Sequence, residues 1–173
     1  MSCIDSPTYT LAKYVNTLIS PLAGKTSSFI KNTQDFVYSI KNTRLLPTEV
    51  MVSFDIKSLF TSVPVQEALE VIQGKLMADE SLGERMALSA DQVTQLLDLC
   101  LRTTYFLYKG EYYQQKDGAV MGSPVSPVVA NIYIEMFEDL ALKTELAPRI
   151  WKGYVHDMFC ELKKRTRDPF WTT

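Results

Sequence analysis

The feature that most constrains this chain is a set of β-forming runs lying about a hundred residues apart with helical spacing between them. Val50-Met51-Val52-Ser53-Phe54 is rich in β-branched and aromatic residues, has no breaker and ends at Asp55, so it reads as a short buried strand. Residues 151–155 and 158–162 read as two further strands joined at His156-Asp157. Strands so distant can share a sheet only if the intervening helices fold back onto it. Acidic groups then stand at a strand end and at a tight turn.

The segments around these strands carry helical signals. Ser6 can cap and Pro7 can open a helix whose apolar set Leu11, Tyr14, Val15, Leu18, Ile19 and Leu22 lies on one face, and Pro21 and Gly24 end it. A second helix is expected from Asn32, with Asp35 at its third position and Phe36, Val37 and Ile40 inward; Pro47 closes this section. After Pro64 a helix runs through Leu69, Val71, Ile72 and Leu76 into a polar loop containing Gly83. Ser89 and Gln92 form a capping box ahead of Val93, Leu96, Leu97, Cys100 and Leu101. Residues 105–108 and 111–114 flank Lys109-Gly110, which predicts a β-hairpin with a two-residue turn. Residues 118–127 are turn-like, and Ser126-Pro127 reads as cap and first turn of a helix carrying Val128, Ile132, Met136, Phe137 and Leu140 inward.

Composition narrows the function classes. At 173 residues, with 46% hydrophobic and 22% charged, the chain can bury a sizeable core without metals or disulfides. Cys3, Cys100 and Cys160 are dispersed and form no CxxC pair, which excludes a zinc finger or a disulfide scaffold. There is no secretory start and no apolar run long enough for a membrane span, so the expected setting is reducing and intracellular, with no membrane partner. The net charge of −2 argues against wholesale coating of nucleic acid, but it is unevenly spread. Residues 1–47 carry five basic and two acidic groups, residues 48–142 six and fourteen, and residues 143–173 seven and four. That layout suits a metal-holding centre between polyanion-binding surfaces, while an ordinary solvated face is the plainer reading of charge alone.

Three features invite chemistry. Gly24-Lys25-Thr26 lacks the first glycine of a phosphate-binding loop, since that position falls on Ile19 within a helix face, and Lys25 reads as a loop lysine. His156 is the single histidine, so a Ser-His or Cys-His nucleophile would have to use it; it is a general base or a structural turn residue, and no nucleophile signature accompanies it. Asp55 and Asp157 are the sharper pair. Carboxylates at the ends of adjacent strands can hold Mg²⁺, which takes a few hard oxygens together with substrate phosphates. Two such ions share developing charge at a phosphoryl centre and activate an attacking hydroxyl. Each aspartate alone is more often a turn former or an ion-pair partner.

The wording of three segments is more specific. Phe54-Asp55-Ile56-Lys57-Ser58-Leu59-Phe60-Thr61-Ser62-Val63-Pro64, then Gly118-Ala119-Val120-Met121-Gly122-Ser123-Pro124-Val125-Ser126-Pro127 leading into Asn131-Ile132-Tyr133, then Tyr154-Val155-His156-Asp157 resemble motifs A, B and C of reverse transcriptases in order and distance. Together with Ser6-Pro7-Thr8-Tyr9, they are most similar to Penelope-like retroelements, relatives of telomerase. The resemblance implies an α+β fold: a polymerase palm over residues 48–173 with a small antiparallel sheet packed on helices, a helical fingers-like segment over residues 1–47, and no thumb after motif C. It implies Mg²⁺ as cofactor, with Mn²⁺ as a substitute, held by Asp55, the Ile56 carbonyl and Asp157. Phe60 matches the aromatic gate that crowds a ribose 2′-hydroxyl, and Met121 and Gly122 match positions lining the nucleotide pocket. Read without the resemblance, Phe60 is a core aromatic and Met121-Gly122 a helix-entry turn.

Motif C departs from the family. Where relatives carry Tyr-Val-Asp-Asp, this chain has His156 before Asp157. Neutral imidazole is a poor Mg²⁺ ligand and brings no negative charge, although it accepts softer ions such as Mn²⁺ or Zn²⁺. Removing one ligand of a two-metal site costs several kcal/mol of transition-state stabilisation. The resemblance therefore implies an RNA-directed DNA polymerase fragment with Asp55, Asp157 and His156 at its catalytic centre and with impaired activity. Its partners would be an RNA template, a DNA primer and deoxynucleotide triphosphates, and its location nuclear. The run Lys163-Lys164-Arg165-Thr166-Arg167 can contact phosphate, or be an exposed end. The alternatives are a non-catalytic nucleic-acid-binding remnant and a residual reading frame without function.

Overall fold

The computed structural model describes residues 6–143 and 147–164. Cys3, Arg165, Arg167 and the terminal residues 168–173 lie outside the described residues; Lys163 and Lys164 lie within them. The class is the expected α+β. Four longer helices, α1 (Tyr9–Ile19), α4 (Val65–Met77), α6 (Ala90–Arg102) and α7 (Ser126–Ala141), enclose one apolar core in which Val15, Ile72, Leu97 and Ile132 are fully buried. Among the described residues, no helix is long and apolar enough to cross a membrane.

The three-stranded sheet has the order β1 (Glu49–Asp55), β5 (Asp157–Lys163), β4 (Trp151–Tyr154), antiparallel throughout. The expected strands are present, but β1 is not a buried strand. Only Glu49 of its seven residues is buried, and Val50, Met51 and Phe54 are about two-fifths exposed. The reason is position: β1 is an edge strand, with β5 on one side. The hairpin turn between β4 and β5 consists of Val155 and His156 rather than His156-Asp157. Tyr154 pairs with Asp157 across it, and Val155 takes a left-handed φ of 55°.

The second hairpin, β2 (Tyr105–Tyr108) and β3 (Glu111–Gln114), matches its expected bounds. Lys109 and Gly110 both have positive φ, the geometry that a two-residue turn needs to follow strand twist. The Ser89 capping box of α6 is complete in both directions.

Other local expectations shift. Helix α1 begins after Thr8, while the Ser6 carbonyl accepts from Tyr9 N one turn earlier; Ala12 is buried and Tyr14 half-exposed. A 3₁₀ turn, Ser20–Leu22, seats Pro21 and closes the helix. Helix α2 (Thr33–Ile40) is capped by Asn32, whose Oδ1 accepts from Asp35 N at 2.9 Å. No residue of α2 is buried. Phe36 meets Phe159 edge-on at 5.1 Å, Ile40 is half-buried and Val37 is exposed, because the helix touches the sheet along one narrow line. Two four-residue helices, α3 (Leu59–Ser62) and α5 (Leu82–Arg85), complete the set, the latter in the segment expected to be a loop around Gly83.

Helix α7 differs most from its sequence reading. Val125 is the N-cap residue, and Ser126 lies inside the first turn, its hydroxyl donating to the Val120 carbonyl at 2.6 Å. Ser126 therefore pins the preceding loop rather than capping. The inward face is Val129, Ala130, Ile132, Glu135 and Glu138, while Phe137 and Leu140 are about 60% exposed. The buried face includes the two glutamates because their partners, Gly24 N, Lys75, Ser28 and Trp151, come from other chain segments.

Candidate active site

The antiparallel register of β1 and β5 runs from Glu49↔Lys163 to Asp55↔Asp157. The two aspartates, about a hundred residues apart in sequence, are thus direct cross-strand partners at one end of the sheet. The Ile56 amide extends this pairing by donating to the His156 carbonyl at 2.9 Å, which ties the β4–β5 turn to the residue following Asp55. Three side chains converge as a result. Asp55, His156 and Asp157 each offer a ligand atom, all within 4.8 Å of one another, and all three residues are exposed. His156 Nε2 lies 4.0 Å from Asp157 Oδ2.

Like charges placed directly opposite across a strand pair are destabilising. A divalent cation removes that repulsion, and a donor set of two carboxylates and one imidazole fits one. The nitrogen shifts preference away from Mg²⁺, which takes hard oxygens, toward Mn²⁺ or Zn²⁺. Among the described residues, neither cysteine is placed to act as a nucleophile. Cys100 and Cys160 are buried, and burial pushes the Cys100 thiol up to about 11 and the Cys160 thiol upward as well.

Of the other sequence-derived candidates, Ile56 adjoins the trio through its backbone, next to Asp55. Ile56 is half-buried and packs on the core beside Leu59. Phe60 is likewise half-buried against the core, and its carbonyl accepts from Ala119 N at 2.6 Å. The motif B loop is pressed against this point. A Cβ at Gly118 would sit 2.7 Å from both Cα and O of Thr61, so the two chain segments meet backbone to backbone. Met121 is exposed and lines a cavity of about 510 Å³ together with Tyr9, Thr61, Tyr105, Phe106 and Leu107. Gly122 follows with φ of 87°. Asp55, His156 and Asp157 do not line that cavity.

Sequence reasoning missed a buried polar cluster behind the trio. Glu138 Oε1 accepts from Trp151 Nε1 at 2.8 Å and Oε2 from Ser28 Oγ at 2.5 Å. Glu135 Oε1 accepts from Gly24 N at 2.5 Å, and its Oε2 lies 3.6 Å from Lys75 Nζ. Burial raises the Glu135 carboxyl above its ordinary range, against the lowering effects of Gly24 N–H and Lys75. The available signal was spacing: Ile132, Glu135 and Glu138 recur at three-residue intervals along one helical face.

A short antiparallel sheet bearing two aspartates in register, with helices packed behind it, is compatible with a partial reverse-transcriptase-like palm fold. Solved structures with a similar fold include telomerases. Apo telomerase from Candida tropicalis truncated from its C-terminal domain superposes with a TM-score of 0.62 at 13% identity, over 94% of this chain and 35% of that one. Telomerase from Candida tropicalis in complex with the TWJ fragment of telomeric RNA gives 0.64 at 16% identity, over 92% of this chain and 29% of that one. Telomerase from Candida albicans in complex with the same kind of fragment gives 0.64 at 10% identity, over 88% and 30%. The chain spans about a third of the length of these proteins. No protein-family model and no curated protein matches the sequence.

Proposed function

We propose that this chain is the palm, with part of the fingers, of an RNA-directed DNA polymerase of the Penelope-like retroelement kind, with activity weakened by His156. The observation that carries this reading is the direct pairing of Asp55 with Asp157 in a fold shared with telomerases. The motif wording adds the retroelement assignment. RNA template, DNA primer and deoxynucleotide triphosphates are the partners this reading requires, and the RNA-bound telomerase structures of the same fold support a nucleic-acid partner.

Asp55 and Asp157 are the residues that would hold Mg²⁺, or Mn²⁺ with His156 as a third donor. A divalent ion bound there supplies charge neutralisation at a triphosphate. The contribution of the chain itself is placement. The β1–β5 ladder fixes the two carboxylates, the Ile56 to His156 bond fixes the turn, and the Gly118–Thr61 contact fixes the motif B loop beside the end of motif A. Replacement of a carboxylate by His156 lowers the negative charge available to divalent ions, which sets the expected order of activity.

Primer extension on an RNA template tests this. Wild-type protein is expected to extend weakly with Mn²⁺ and less with Mg²⁺, and His156→Asp to extend faster with both. No synthesis by either protein under either metal rejects the catalytic reading. The loss of a carboxylate at position 156 favours one second reading, a palm that binds nucleic acid without chemistry. A-form hybrids are recognised mainly through shape and phosphates, so binding outlasts catalysis. Salt-sensitive RNA binding that is indifferent to Asp55→Ala, without synthesis, identifies that case.

A further inference from the structure

Glu138 is 7% exposed, and both of its oxygens take donors from distant chain segments. Burying a carboxylate is costly unless it is fully hydrogen-bonded, and neither donor belongs to the helix that carries it. One donor, Trp151, opens β4. The other, Ser28, belongs to a strap that runs along the outer edge of the same strand. The Ser28 carbonyl accepts from Gly153 N at 2.9 Å, the Gly153 carbonyl accepts from Ile30 N at 2.9 Å, and Lys152 Nζ donates to the Ser27 carbonyl at 2.7 Å. Glu138 therefore clips the strand and its strap together from beneath.

The clip fits tightly against the strand. A Cβ at Gly153 would lie 3.0 Å from Glu138 Oε1 and 2.9 Å from Met158 Sδ, so a glycine is what lets the carboxylate reach Trp151 beside the backbone. Two residues beyond Gly153 the chain makes its left-handed turn at Val155, and His156 and Asp157 follow. The register of this two-residue turn depends on where β4 is held. A slip of one residue would turn every side chain of β4 to the opposite face.

We infer that Glu138 is a positioning residue that acts through Trp151 and Ser28 to hold β4, and with it the 155–157 turn, in the register that sets His156 and Asp157 beside Asp55. Its consequence for metal binding rests on the metal-centre reading above; its effect on the turn does not.

Amide hydrogen exchange on the whole chain tests the effect on the turn without metal. Glu138→Ala is expected to speed exchange of residues 153–158 at least about tenfold beyond the change seen in α4 and α6. Glu138→Gln can still accept from Trp151 and can donate to Ser28 Oγ, and is expected to stay within about threefold of wild type. Trp151→Phe removes one donor and keeps a ring beside Phe54, and should loosen the same residues to a smaller extent; it decides the matter if Glu138→Ala does not fold. Protection that falls evenly over the molecule, or a turn that stays protected in both variants, overturns the inference. Mn²⁺ titration supplies the second readout, with affinity at least about tenfold weaker in Glu138→Ala and restored in Glu138→Gln. Unchanged affinity in Glu138→Ala despite a loosened turn overturns the metal half. Absence of Mn²⁺ binding by wild type removes the metal-centre reading, and with it that half, while the exchange result still decides whether Glu138 positions the turn.

Discussion

Asp55→Asn is expected to have opposite effects on stability with and without metal. In the free protein two like charges are held within 4.8 Å. Both are exposed, so the dielectric of water applies, and Coulomb's law gives about 0.9 kcal/mol of repulsion at that distance. Screening at physiological ionic strength reduces it to about 0.5 kcal/mol. For a chain of this size 1 kcal/mol corresponds to roughly 2–4 °C, so the variant should melt about 1–2 °C above wild type in EDTA. With Mn²⁺ at a hundred times its Kd, binding stabilises wild type by about 2.7 kcal/mol, or roughly 5–11 °C, whereas the variant has lost a ligand and gains little. The order of the two melting temperatures should therefore invert when EDTA is replaced by MnCl₂, as read by circular dichroism on both proteins. A variant that melts below wild type in EDTA, or that gains as much from Mn²⁺, would refute the electrostatic reasoning.

Gly118→Ala should cost about 3 kcal/mol in urea denaturation, combining an L-residue at positive φ, roughly 1–2 kcal/mol, with overpacking of roughly 1–3 kcal/mol against the backbone of Thr61. A loss below about 1 kcal/mol would show that the motif B loop is not seated as described. Gly74→Ala is its counterpart: nothing lies within 4 Å of the added Cβ in mid-α4, and stability should rise by about 0.5–1 kcal/mol. For Glu135 the folded-state carboxyl is raised by burial. Its contribution is then fully present below the ordinary value of 4.5 and is lost as pH rises through the folded value. Glu135→Gln should accordingly gain on wild type as pH rises from 4 to 8, in melting curves taken across that range, and a gap that narrows with rising pH would contradict it.

The helices that lie over the core were legible because their apolar spacing and caps agree. In α6 the capping box and the face of Val93, Leu97, Cys100 and Leu101 occur as read. The β2–β3 hairpin was legible because Lys109-Gly110 between two aromatic runs leaves little alternative. Depth of burial was not legible for β1, since a breaker-free apolar run does not distinguish an edge strand from a central one. The inward face of α7 was hidden for a related reason. A glutamate on a helix face is read as solvent-facing unless its donors are known, and the donors of Glu138 come from residues 28 and 151. At the candidate site, Asp55, His156 and Asp157 were legible as residues, while their meeting depended on a register that local sequence does not encode. Phe60 is half-buried against the core, a placement that does not separate its two readings.

The central claim is that Asp55, His156 and Asp157 share one divalent ion. Electron paramagnetic resonance of Mn²⁺ added to the full chain reads this most directly, through ¹⁴N coupling from a coordinated imidazole. One bound Mn²⁺ with ¹⁴N coupling, the coupling lost in His156→Asp and binding lost in Asp55→Ala, is the expected pattern. Bound Mn²⁺ without nitrogen coupling and indifferent to Asp55→Ala would mean that the ion sits elsewhere and that the paired aspartates do not form a metal centre.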